Sequence, residues 1–235
     1  MSAVQFALIA GSAGLFLLPA RGAGNDQRPH AVPSAVRREV SVPIPNFSLT
    51  DQSGRPFRFE SLRGKVIVVG FVYTSCPDVC PLITAAMRRV QTGLSDRERA
   101  RVFFLSITTD PEVDVPEVLN SYGRRHGINF SRWAFLTGAQ KALHPVWRAF
   151  GVKVVRKARG LVDHTSLAAL VDQRGTMRVG YTGTFPDDGE LLKDLRSLLA
   201  REQTDGRATP DTSPRGALTT PPVQPHHGAS ARTTT

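Results

Sequence analysis

The chain has 235 residues, 40% of them hydrophobic and 21% charged, which is enough apolar content for one cored domain plus tails. Its formal net charge of +10 suits an anionic membrane surface or an acidic protein partner. No nucleic-acid partner is expected, because the chain has neither zinc-finger spacing nor an aromatic–basic ribonucleoprotein pattern.

In chain order, the first segment is apolar. Phe6 to Pro19, FALIAGSAGLFLLP, carries no charge before Arg21. Residues 1–22 therefore read as a secretory signal, with Ala20-Arg21-Gly22 as a cleavage option, or as an uncleaved N-terminal membrane anchor. Either reading exports the domain, to the periplasm or to a membrane facing it, where cysteines meet an oxidising environment. Residues 23–40 read as a flexible linker, within a polar, proline-punctuated stretch from Asn25 to Pro45 that resembles an extended tether. The folded domain is expected over 41–201, and the Thr/Pro-rich residues 202–235 read as a disordered tail.

Within the domain, NFSLTDQSGRPFRF predicts an N-terminal β-hairpin around Gln52-Ser53-Gly54. KVIVVGFVY, Lys65 to Tyr73, is a continuous β-rich apolar run and predicts a buried central strand. The segment TSCPDVCP follows, with Pro77 in the first turn of a helix through LITAAMRRVQTGL. RVFFLSITT predicts a second buried strand, and VPEVLNSYGRRHG a helix that opens at Pro116 and stops at Gly127. A short strand WAFLTG precedes a helix in AQKALHPVWRAFG, which Pro145 is expected to kink or break. SLAALVDQRGTMRVGYTG predicts a hairpin turning at Gln173-Arg174-Gly175, and GELLKDLRSLLARE an amphipathic final helix. Alternating strands and helices followed by an antiparallel hairpin predict an α/β, thioredoxin-like fold: a mixed central sheet flanked by helices.

The only two cysteines, Cys76 and Cys80, lie at the end of the first buried strand, where ligands and chemistry collect in α/β sheets. Amides at a helix N-terminus favour a thiolate at Cys76. At i,i+4 spacing the two sulfurs can share one helical face and hold a soft metal, or they can close a redox-active or merely structural disulfide. A structural zinc site would want four ligands, and no further cysteine exists. Among the histidines, His30, His226 and His227 fall in the tails, His126 lies near a helix end, and His144 reads as a packed helix residue. His164 stands just before the strand of the late hairpin, whose start faces the cysteine loop in a thioredoxin-like fold; a ligand and a surface or capping histidine are both open there.

Three motifs in order carry a resemblance to the Sco/SenC family of copper proteins, over about Pro45 to Leu199. They are Cys76-Pro77-Asp78-Val79-Cys80-Pro81 after GFVYTS, DPEVDVP from Asp110 to Pro116 with Val115 where threonine is usual, and Asp163-His164-Thr165. The resemblance implies a thioredoxin-like metallochaperone, secreted or membrane-tethered, that binds one copper ion, Cu(I) or Cu(II), through Cys76, Cys80 and His164. It further implies delivery to the dinuclear copper centre of cytochrome c oxidase, with a copper-accepting oxidase subunit or another copper chaperone as partner. Asp163 and Asp78 are candidates to orient or charge-balance that site. The alternative on the same cysteines is an extracytoplasmic thiol–disulfide oxidoreductase or a copper-dependent redox sensor.

Overall fold

The computed structural model describes residues 35–157, 161–183 and 186–205. The apolar segment 1–22, the linker up to residue 34, the tail from residue 206, and His30, His226 and His227 lie outside the described residues.

The architecture is built on strand β4 (Val66–Val72), all seven residues of which are buried. It pairs in parallel with β5 (Val102–Thr108) and antiparallel with β9 (Leu167–Val171). With β6 (Trp133–Thr137), the hairpin β2 (Ser48–Asp51)–β3 (Pro56–Arg58), β10 (Thr176–Thr182) and β1 (Val36–Pro43), they make a mixed sheet in the order β1-β10-β9-β4-β5-β6-β2-β3. Side chains alternate across a strand, so one run of residues serves two cores. Val66, Val68 and Val72 face helices α1 (Val79–Thr92), α3 (Pro116–Arg125) and α5 (Asp188–Asp205). Ile67, Val69 and Phe71 face α4 (Gln140–Ala149) and the N-terminal hairpin. A strand buried on both faces has no polar side, which is why its sequence is continuously apolar. This is the expected thioredoxin-like fold, with helices on both faces and the late hairpin turning at Gly175, whose φ of 79° suits glycine.

Five elements depart from the sequence expectation. Strand β1 occupies part of the stretch read as a tether. It is bound by backbone pairing to β10, from Val36↔Thr182 to Pro43↔Thr176, and its side chains are mostly exposed, so it leaves no apolar period to detect. A third hairpin, β7 (Val154–Arg156)–β8 (Val162–His164), has strands too short for periodicity. The short helix α2 (Asp96–Arg99) opens with a capping box between Ser95 and Glu98. Finally, α4 runs unbroken through Pro145. An internal proline costs about 3 kcal/mol; here Leu143, Val146 and Trp147 are buried around it, and the Trp147 indole donates to the Thr108 carbonyl at 3.0 Å. Among the described residues, no helix is long and apolar enough to cross a membrane.

Candidate functional site

The carboxyl end of β4 is fastened to its neighbour. The Thr109 N–H donates to the Val72 carbonyl at 2.9 Å. Beyond that rung the chain would be free, but Asp114, fully buried, holds it. Its carboxylate accepts from the Thr74 N–H at 3.1 Å, from the Thr74 hydroxyl at 2.5 Å and from the Thr108 hydroxyl at 2.5 Å. The loop carrying Cys76 is thereby tied to the end of β5. Within it, the Cys76 N–H donates to the Tyr73 carbonyl at 3.3 Å.

Helix α1 starts at Val79, two residues later than the sequence predicts. Cys76 therefore precedes the helix and Cys80 lies in its first turn, so the sulfurs meet across a helix mouth and not along one helical face. Both are free thiols. Cys76 is 8% exposed and Cys80 fully enclosed. Burial alone would raise the Cys76 thiol. Backbone N–H groups of Cys80 and Asp78, then the Cys80 thiol and the Tyr73 hydroxyl, hydrogen-bond its sulfur and bring it below the ordinary thiol range. Burial pushes the Cys80 thiol up, and the neighbouring Cys76 and Asp114 add to the effect. The two thiols are thus set apart: Cys76 is made more acidic than an ordinary thiol, and Cys80 keeps its proton.

Tyr73 joins these cysteines to the histidine. Its hydroxyl bonds Cys76, and burial together with that sulfur raises it to about 12. Its ring meets His164 edge-on, with centroids 5.8 Å apart. His164 ends β8, half-buried, with Nδ1 3.1 Å from the Thr165 carbonyl oxygen. A carbonyl only accepts, so Nδ1 carries the proton and Nε2 keeps its lone pair. Burial holds the imidazole below its usual value, so it is neutral at pH 7, the form a metal requires.

Both acidic candidates are exposed, and Asp163 acts on His164 through its charge. Asp163 does not touch His164 by hydrogen bond; its side chain, 62% exposed, pairs with Lys157 at 2.9 Å. Neighbouring residues of a strand point to opposite faces, so Asp163 is turned outward when His164 is turned inward. Asp78 is exposed and contributes its backbone N–H, not its carboxylate. His126 packs on Tyr122 and His144 on Trp147. Among the described residues, no three His, Cys, Asp or Glu side chains stand close enough to hold a metal ion. Cys76, Cys80 and His164 share Tyr73 as a neighbour without converging on a single point.

Sequence reasoning passed over Tyr73, Thr74 and Asp114 as parts of the site. All three were visible inside the motifs GFVYTS and DPEVDVP, but nothing in one sequence says that the two motifs bond to each other.

A family model described as SCO1/SenC matches residues 37–200. The chain belongs to the SCO1/SenC family. Among solved structures, this SCO1/SenC chain is similar to a SCO1/SenC family lipoprotein from Bacillus anthracis str. Ames, with 30% identity, a TM-score of 0.63, and coverage of 70% of this chain and 99% of that one. It is similar to BsSco, described as a member of the Sco family of cytochrome c oxidase assembly proteins and as containing a disulfide switch. That match has 28% identity, a TM-score of 0.60, and coverage of 70% and 98%. It is also similar to ScoI of Bradyrhizobium japonicum with copper bound, with 27% identity, a TM-score of 0.56, and coverage of 66% and 98%.

Proposed function

We propose that this protein is an exported metallochaperone that binds one copper ion through Cys76, Cys80 and His164 and hands it on for assembly of the dinuclear copper centre of cytochrome c oxidase. The observation that carries the reading is the donor set: two adjacent thiols, and a neutral imidazole with its Nε2 lone pair free, both reached by Tyr73. Two soft sulfurs favour Cu(I), and an imidazole added to them suits Cu(II) as well. ScoI with copper bound, and BsSco as a member of an oxidase assembly family, point the same way. Tyr73 is the residue that links the two parts of this donor set, through Cys76 on one side and the His164 ring on the other. The partner is a copper-accepting oxidase subunit or another copper chaperone, and the lipoprotein relative fits a domain tethered outside the cytoplasm.

The asymmetry of the cysteines supports a second reading, thiol–disulfide exchange. The Cys76 thiolate attacks a partner disulfide and releases one partner thiolate. Cys80 gives its proton to the partner thiolate first released, attacks the Cys76 sulfur and releases the second thiolate, leaving Cys76–Cys80 oxidised and the partner reduced.

One titration separates the two. Reduced protein under anaerobic conditions receives Cu(II), and its visible spectrum is compared with that of His164→Ala. An intense thiolate-to-copper charge-transfer band saturating at one equivalent, lost or shifted in the variant, is the expected result. Thiol oxidation without such a band overturns the copper reading and leaves the exchange reaction.

A further inference from the structure

In the motif DPEVDVP, Asp114 holds the cysteine loop, and the first residue, Asp110, is buried as well. Asp110 is 2% exposed, a depth at which a carboxylate must find partners. Its backbone carbonyl accepts from the Val113 and Asp114 N–H groups at 3.2 and 2.9 Å, which makes 110–114 one compact loop. Its Oδ1 accepts from the Arg156 guanidinium at 2.5 Å, while Oδ2 is buried with no hydrogen-bond partner. Arg156 also bonds Glu112 of the same loop.

Arg156 belongs to β7, the strand that pairs with the strand of His164. The register is Val154↔His164, Val155↔Asp163 and Arg156↔Val162. Cross-strand partners share a face and successive residues alternate, so Val154, Arg156, Val162 and His164 lie on one face of this hairpin. Val162, 7% exposed, shows that this face is the inner one, and Val155, 57% exposed, marks the outer one. The loop 110–114 thus has two arms. Asp114 reaches the cysteine loop at Thr74, and Asp110 reaches the histidine hairpin at Arg156.

We infer that Arg156, clamped on Asp110 and Glu112, is a positioning residue that holds the β7–β8 hairpin, and His164 with it, at a set distance from the cysteines. The inference rests on the copper-ligand reading of His164 for its functional consequence, but its structural content does not need copper. A hairpin of two three-residue strands is marginal by itself and takes its place from what anchors it. The clamp and the backbone bond from Thr165 N–H to the Lys153 carbonyl at 2.9 Å hold its two ends.

The test has a metal-free arm and a copper arm. In the metal-free protein, the nuclear Overhauser contact between the His164 and Tyr73 rings is expected in the parent and in Arg156→Lys, and is lost in Arg156→Ala. The pair Asp110→Asn with Arg156→Ala leaves no buried charge unpaired and loses the contact as well, which separates positioning from general unfolding. In the copper arm, Arg156→Ala weakens copper binding about 10-fold, the size typical of residues that orient a metal ligand. In a His164→Ala background the same change moves affinity less than about 2-fold. A retained ring contact in Arg156→Ala, or an equal loss of affinity with and without His164, overturns the inference. If the parent binds no copper, the proposed function fails and the ring contact alone decides the role of Arg156.

Discussion

Tyr73 acts on both parts of the site at once. Its hydroxyl acts on the Cys76 sulfur and favours the thiolate, and its ring packs against that of His164. Tyr73→Phe keeps the ring and removes only the donor. The Cys76 pKa should then rise, because one of the groups that favour the thiolate is gone. The pH profile of iodoacetamide alkylation reports it as a midpoint displaced to higher pH; an unmoved midpoint would mean that the backbone amides of Cys80 and Asp78 stabilise the thiolate alone. The identity of the cysteine pair was legible in the sequence because its spacing is unusual and a buried strand runs directly into it. The asymmetry between the two thiols was not, since it arises from which sulfur the helix-mouth amides face and which one is enclosed.

At the scale of elements, the site is an agreement among three segments. The cysteine loop and the loop 110–114 are fixed to each other through Asp114, which three donors approach from Thr74 and Thr108. Replacing it by alanine leaves those buried donors unpaired. Asp114→Ala is expected to cost about 3 kcal/mol in urea unfolding, a value suited to the loss of a buried hydrogen-bonded charge. A cost below about 1 kcal/mol would show that the cysteine loop holds its own shape. Helix α3 begins beside this loop with Val115 at its N-cap and makes no side-chain cap bond there; Pro116 in the first turn compensates only in part. The helices α3 and α5 and the buried strands β4 and β5 were read from their apolar patterning. The β7–β8 hairpin was not, because three-residue strands carry no period, and the consequence was to assign Asp163 to His164 when the strand alternation turns it away.

The molecule as a whole is a sheet with a core on each face, closed at one edge by β1. That edge is secured by a polar contact as well as by backbone pairing. Arg37 of β1 donates to Asp194 of α5 at 2.6 and 3.0 Å, and the Tyr181 hydroxyl of β10 donates to the same carboxylate. Burial works against the Asp194 charge, but Arg37 and Tyr181 outweigh it and hold the carboxyl below its ordinary 3.8. A depressed carboxyl contributes stability that is present above the unfolded-state value and is lost as pH falls through the folded one. The parent should therefore exceed Asp194→Asn by about 2 kcal/mol at pH 7. That advantage should shrink below about pH 4. Chemical unfolding of both proteins across pH 2 to 7 checks it, and a gap independent of pH would assign the effect to packing in place of charge.

By itself the sequence determined what short-range physics controls: the buried strands, whose continuous apolar runs admit only a two-sided environment, the helices with their apolar stripes, the late hairpin, and the cysteine pair at a strand end. The motifs added the histidine by resemblance. The tertiary structure decided everything that depends on residues far apart in the chain. It paired β1 with β10 through backbone groups that no side-chain pattern encodes, let α4 run through Pro145 because burial around it outweighs the lost hydrogen bond, and placed Tyr73 against both Cys76 and His164. It also joined Asp114 to Thr74 and Asp110 to Arg156. Such contacts are chosen by the packing of whole elements, where charge, burial and hydrogen bonding are settled together, and a linear sequence holds no local trace of them.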